Sequence, residues 1–276
     1  MINFFNYKNN ISVEMFCCRV LIYILFGIFL KTPAVFSQEQ IGRKDIDHFD
    51  GEILTFNMKF SGFSTATSKF YTELNDPRYF GINWDLRSKT IYKLLFNVNN
   101  HYFTLIDLNN RLPVKQYKKI EQKNINQSFE TVFDREKSIA KTDNGLQWPI
   151  TKNCMDLLSM LYHIRSIDLA PGDSLSYTLD IESHIWRISG LVREGDKIDG
   201  PFQELITRQI VFSFAPELPV LKRKWKTDLL TNRISRPDTR LTISLGPRPE
   251  SLPIYLKFET SDTSVEMLLE NYFLEK

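Results

Sequence analysis

The sequence predicts a mainly β protein: an antiparallel meander forming a curved sheet, half-barrel or open barrel, with one amphipathic helix at about residues 153–165 packed on it. Three observations predict this. Gly51–Gly62 (GEILTFNMKFSG) alternates, with Leu54, Phe56, Met58 and Phe60 on one side and Thr55, Asn57 and Lys59 on the other, which is the two-residue period of a half-buried strand. Comparable β-rich segments recur along most of the chain, separated by turn dipeptides. A single stretch, Asn153–Arg165, instead repeats its apolar residues at helical spacing.

After Gly51–Gly62, strands are expected around Thr67–Thr72, Tyr79–Arg87, Thr90–Val98, Tyr102–Leu108, Leu112–Glu121, Ser128–Asp134 and Lys137–Lys141. Asn75-Asp76-Pro77, Asn99-Asn100, Asn109-Asn110 and Asp143-Asn144-Gly145 separate them as turns. In the helix, Cys154, Leu157, Leu158, Leu161 and Ile164 share a stripe to be laid on the sheet. Asn153 serves as its N-cap, and Pro149 and Pro171-Gly172 bracket it. Strands resume at Ser174–Ile181, His184–Arg193, Phe202–Phe214, Leu221–Leu229, Arg240–Leu245, Ile254–Thr260 and Ser264–Phe273. Prolines 216, 219, 237, 247, 249 and 253 make the connections in this part irregular, and 233–251 is expected to be a mobile loop region. No repeat or linker divides the chain, so residues 51–274 read as a single β-rich domain.

The N-terminus carries an address. Val20–Leu30 is an apolar run flanked by Arg19 and Lys31, too short for a membrane span of about 20 residues but suited to a secretory signal. Val35 and Ser37 are small enough for a peptidase, so residues 1–37 are read as a signal peptide cut before Gln38, with 38–50 as a leader segment. Cys17 and Cys18 precede the run, whereas a lipoprotein cysteine would follow it. The expected exported, periplasmic chain is therefore not a lipoprotein, and its sole cysteine, Cys154, is expected to be buried.

Composition narrows the function. Without residues 1–37 the chain has 32 basic and 32 acidic residues, so it lacks the basic field that nucleic-acid binding needs. No phosphate-cradling glycine loop exists, which argues against nucleotides. Gly62-Phe63-Ser64-Thr65-Ala66 only approximates a nucleophile elbow, and the residues after Ser64 suit a hairpin better than the required helix. Cys154 and His163 lie too far apart on one helix to form a dyad. His48, His101, His163 and His184 have no metal-ligand spacing. The cluster Asp45, Asp47, His48, Asp50 and Glu52 reads as a solvated leader strand rather than an ion site. No catalytic residue, metal or cofactor is expected. With 21 Phe, 11 Tyr and 4 Trp, a curved sheet could enclose an apolar pocket, for which Phe56, Trp84, Trp148, Leu161 and Trp186 are candidates.

Several motifs together resemble the bacterial envelope family known as domain of unknown function 3108. They are Gly51-Glu52-Ile53-Leu54-Thr55-Phe56 with Gly62, then Leu112-Pro113-Val114, and a helix running from Asp156 through Ser159 and Tyr162 to Arg165. Pro171-Gly172-Asp173, Leu252-Pro253-Ile254 and the Ser264–Leu269 strand complete the pattern. The resemblance implies an envelope address and a half-barrel shape. It also singles out Asp156, Ser159, Tyr162, Arg165, Pro171, Gly172 and Asp173, either as a frame in which Arg165 and Asp173 fix the Pro-Gly turn or as ligand contacts. The expected function is a non-enzymatic envelope protein holding a lipid or other apolar ligand. The alternatives are an assembly factor with an envelope protein partner and, last, a hydrolase.

Overall fold

In a computed structural model of the chain, residues 46–93, 97–122, 124–201, 203–219 and 228–275 are described. The signal peptide, most of the leader and Trp225 lie outside them. Fifteen strands among the described residues form one open, curved sheet: β1 Glu52–Phe60, β2 Phe63–Asp76, β3 Tyr79–Ser88, β4 Asn99–Asp107, β5 Leu112–Gln122, β6 Ile125–Asp134, β7 Ile139–Thr142, β8 Gln147–Pro149, β9 Cys154–Met155, β10 Ser174–Ile181, β11 His184–Asp199, β12 Glu204–Pro216, β13 Arg240–Leu245, β14 Pro253–Glu259 and β15 Ser264–Leu274. The helices are α1, Leu157–Ser166, and α2, Leu229–Ile234.

The sheet runs β8-β7-β6-β5-β4-β3-β2-β1-β15-β14-β13-β12-β11-β10-β9. Two meanders are thus joined at the middle by antiparallel pairing of β1 with β15. Tight turns make this order accessible. Ser61 and Gly62 join β1 to β2 with φ of 48° and 85°, the positive pair that a two-residue hairpin turn requires. Gly51 opens β1 at φ 73°, where a Cβ would lie 2.6 Å from the Glu275 carbonyl oxygen, so that position needs glycine. The short β9 pairs in parallel with β10. Between β8 and β9 side chains meet instead: Trp148, Ile150, Cys154, Phe133, Ala140 and Ile185 form a small buried cluster of their own.

Several sequence expectations change. Thr90–Tyr92 is a 3-10 turn rather than a strand. Pairing of β2 with β3 ends at Ala66 and Ser88, after which the Lys89 and Ser88 amides bond to Thr65 and Val98 and the chain turns. The expected strand 221–229 lies mostly outside the described residues, and Leu229 begins α2. Asp228 caps that helix by accepting from the amides of Leu230 and Thr231. The main helix starts four residues later than its expected cap. Asn153 is exposed, whereas the Asp156 carboxylate accepts from the Ser159 amide and the Ser159 hydroxyl from the Asp156 amide, a reciprocal capping box.

α1 also differs in setting. Every residue from Leu158 to Ser166 is buried, so the helix does not lie on the sheet with one face outward. The curved sheet encloses it. Leu157, Leu158, Met160 and Leu161 meet Phe70 and Trp84 from the first meander and Leu241, Ile243, Leu256, Phe258 and Met267 from the second, around a gap of about 20 Å³.

Candidate binding site

Two buried polar groupings stand inside this frame. The first collects motif residues. Arg165 is 0% exposed and forks onto Glu52, itself 1% exposed, with Nη1 donating to Oε2 at 2.7 Å and Nη2 to Oε1 at 2.5 Å. Its Nε donates to the Ser251 carbonyl, and the Phe49 ring lies 4.2 Å from its central carbon. The Tyr162 hydroxyl donates to Glu52 Oε2 at 3.0 Å. Burial pushes the Tyr162 phenol well above its ordinary range, and the Glu52 charge adds to this. Burial works against the Arg165 cation too, but Glu52 outweighs it and the net direction is up. A bidentate pair enclosed on all sides is a brace.

This corrects two sequence expectations. Glu52 is not part of a solvated acidic strand, and the partner of Arg165 is Glu52 rather than Asp173. Asp173 instead accepts from the Ala170 amide at 2.7 Å, in the turn that Gly172 forms at φ 99°. Pro171 and Gly172 are exposed there, away from the brace. Asp156 joins the helix to the sheet by accepting from the Thr104 hydroxyl at 2.6 Å and Gln116 Nε2 at 3.3 Å. Among the described residues no group of histidine, cysteine and carboxylate side chains could hold a metal ion.

The second grouping surrounds a cavity of about 570 Å³ between β5–β8 and the β10–β11 turn. Alternation along β5 and β6 turns Gln116 and Lys118, and Gln127, Phe129 and Thr131, onto the cavity. Thr142 of β7, Trp148 of β8 and the turn residues Asn144 and Leu146 continue the wall. Asp180, Glu182 and Ser183 face them. Lys118 and Thr131 are buried yet polar, the reverse of what a packed sheet face requires.

The wall is held by a chain of hydrogen bonds. Lys118 Nζ donates to Glu182 Oε1 at 3.0 Å, and the Thr231 hydroxyl of α2 donates to the same oxygen at 2.5 Å. Behind it Asp228 accepts from Gln122 at 2.7 Å and from the Tyr102 hydroxyl. Trp148 Nε1 donates to Asp180 Oδ2 at 2.9 Å. Burial lowers the proton affinity of Lys118, but Glu182 outweighs it and the net direction is up, so Lys118 is an ammonium and not a nucleophile. Burial, with Asp180 adding, drives the Cys154 thiol well above its usual range. Among the described residues no histidine or cysteine lines the cavity. The wall offers hydrogen-bonding groups, two carboxylates and an indole.

Glu182 and Ser183 are the two turn residues joining β10 to β11, both at φ 57°. Non-glycine residues in that conformation cost about 1–2 kcal/mol each and collect at functional sites. Nothing in the local sequence marks the wall, because Lys115-Gln116-Tyr117-Lys118-Lys119 is polar on both faces.

Of the five expected pocket residues, the structure places Trp148 on this cavity and the other four elsewhere. Phe56, Trp84, Leu161 and Trp186 belong to the main core cluster. Trp84 and Leu161 border only the 20 Å³ gap, and Trp186 Nε1 donates to Ser235. Ser64 sits in the β1–β2 hairpin, where its hydroxyl accepts from Lys89. Cys154 is a buried free thiol.

The family model described as protein of unknown function (DUF3108) matches residues 55–270. Among solved structures, a β-barrel-like protein of the domain of unknown function DUF1849 from Brucella abortus has 8% identity and a TM-score of 0.56, covering 83% of this chain and 99% of its own. That likeness shows the fold. A Bacteroides fragilis protein with a YmcC-like fold, for which export has been suggested, has 8% identity, covers 81% and 96% of the two chains and reaches a TM-score of 0.32, too low to carry an argument. No curated protein matches the chain.

Proposed function

The chain belongs to the DUF3108 family of proteins of unknown function, and from that premise we propose that it is an exported, non-catalytic protein that holds a small ligand in the cavity between β5–β8 and the β10–β11 turn. The carrying observation is a space of about 570 Å³ whose lining sets polar side chains among apolar surface, within the roughly 300–1,000 Å³ of small-molecule sites. A protein with no use for that space would fill it with apolar side chains, as it does around α1. Export rests on the apolar run Val20–Leu30 with Val35 and Ser37 placed for cleavage. Among the described residues no helix is long and apolar enough to cross a membrane. Where the expected pocket residues Trp84 and Leu161 meet, the gap is about 20 Å³, less than an acyl chain needs, so the side cavity is the better-supported place.

Thermal melting against a panel of soluble small molecules tests this, with Thr131→Trp as a variant whose cavity is filled. A ligand present at 100 times its dissociation constant adds about 2.7 kcal/mol, a rise of roughly 5–10 °C for a domain of this size. A rise in the parent that Thr131→Trp lacks supports the reading. A panel without effect, or shifts that survive the filled cavity, would refute it.

A further inference from the structure

We infer that the ligand of this cavity is a neutral, hydroxyl-rich molecule, by chemical class a short oligosaccharide. The inference rests on the cavity being a binding site and concerns what the wall can recognise. Gln116, Gln127, Thr131, Thr142, Asn144 and Ser183 all line it. Each offers donors and acceptors without net charge, the pattern that matches hydroxyl groups, which themselves donate and accept. Gln127 is the most telling. Its Nε2 is buried with no acceptor within reach among the described residues, so a donor waits at the wall for an oxygen to bond.

Trp148 and Phe129 supply apolar surface beside these groups, as a sugar ring with apolar and polar faces requires. The charges at the wall argue against ions. The Lys118 ammonium is already matched by Glu182 at 3.0 Å, and Asp180 adds a further carboxylate. An incoming carboxylate or phosphate would meet a net negative wall. A cation would have to shed its water next to Lys118. A fatty acid would leave the amides and hydroxyls unpaired, which a site built on hydrogen bonds penalises heavily.

Isothermal titration calorimetry of the purified protein should use three probe sets: neutral oligosaccharides of gluco, manno and galacto configuration, the corresponding uronates, and palmitate. Saturable binding of at least one neutral oligosaccharide is expected. Gln127→Leu should weaken it tenfold or more, and the matching uronate should bind at least tenfold more weakly. Thr131→Trp should abolish it. Asn144→Trp, at the exposed rim of the cavity, provides a second block if the interior variant does not fold. Uronate or palmitate binding that these variants abolish, with no neutral saccharide bound, overturns the ligand class and leaves the cavity reading standing. Neutral saccharide binding that both blocking variants leave intact overturns the assignment to this cavity. Absence of binding by every probe overturns the ligand class, and the thermal panel with Thr131→Trp decides the cavity reading separately.

Discussion

The interior of the curved sheet is finished in two different ways. Around α1, strands β1, β3 and β13–β15 present Leu54, Phe56, Phe80, Ile82, Trp84, Leu241, Ile243, Leu256, Phe258 and Met267, all buried, and leave about 20 Å³ unfilled. Opposite β10, strands β5–β8 present amides, hydroxyls and an ammonium around about 570 Å³. Each region contains a buried ion pair. Arg165–Glu52 is bidentate and enclosed, whereas Lys118–Glu182 is a single contact at the edge of open space. The difference teaches that one continuous sheet can pack one sector densely and leave a polar-lined space in another. It also predicts that equivalent changes in the two sectors have unequal cost.

The largest contrast comes from breaking the ion pairs. Arg165→Met strands Glu52 where no water reaches it, and should cost about 3–5 kcal/mol, read as a fall in the urea midpoint. A parent-like midpoint would mean that the brace is dispensable.

His163 gives a pH handle on the packed sector alone. Burial lowers its pKa from 6.5 to about 4, with the Arg111 charge acting the same way, and its ring faces Tyr177 at 5.6 Å. The unfolded chain therefore binds the extra proton between those values. This contribution to stability is complete above about pH 6.5 and falls with pH, losing about 3 kcal/mol by pH 4. Urea titrations at pH 7 and pH 4 should show that increment in the parent and not in His163→Leu. Equal losses in both would place the proton elsewhere.

In the cavity sector, Lys118→Met leaves Glu182 with the Thr231 hydroxyl and with water in the cavity, so the cost should be only about 1–3 kcal/mol. A loss as great as that of Arg165→Met would erase the distinction between the sectors. The smallest effect should be a gain. Ser183→Gly removes the penalty of φ 57° and should stabilise the protein by up to about 1 kcal/mol, visible as a higher melting temperature; a lower one would show that the serine side chain supports the turn.

Much of the packed sector was legible from sequence, because its strands alternate cleanly. Arg240–Leu245 occupies the expected residues, and Gly51–Gly62 opens as the strand its pattern describes. α1 was found through its apolar spacing, but its start was misplaced because Asn153 and Asp156 are both good caps and only Asp156 has Ser159 three residues later. Glu52 was hidden among acidic neighbours, and a carboxylate's burial depends on Arg165, 113 residues away. The cavity sector was legible only at Trp148. Its wall requires β5 to face β10, and Lys118 meets Glu182 across 64 residues, a proximity that no local pattern encodes. The motif Asp156-x-x-Ser159 still pointed to the helix cap, and through Gln116 that cap touches the cavity wall.

The ends of the sheet are short. A fifteen-strand array could be a long template on which other chains add strands, yet it terminates in Gln147–Pro149 on one side and Cys154–Met155 on the other. Pro149 lacks an amide hydrogen to offer a newcomer, and the Arg135 guanidinium, reaching across, already occupies the carbonyls of Lys152 and Cys154. What remains open lies one strand further in, where β7 covers β6 only at Thr131–Asp134 and β9 covers β10 only at Thr178–Leu179. A chain built this way shortens the template that an open sheet offers to other chains, so part of the protection that a closed barrel would provide comes instead from termination.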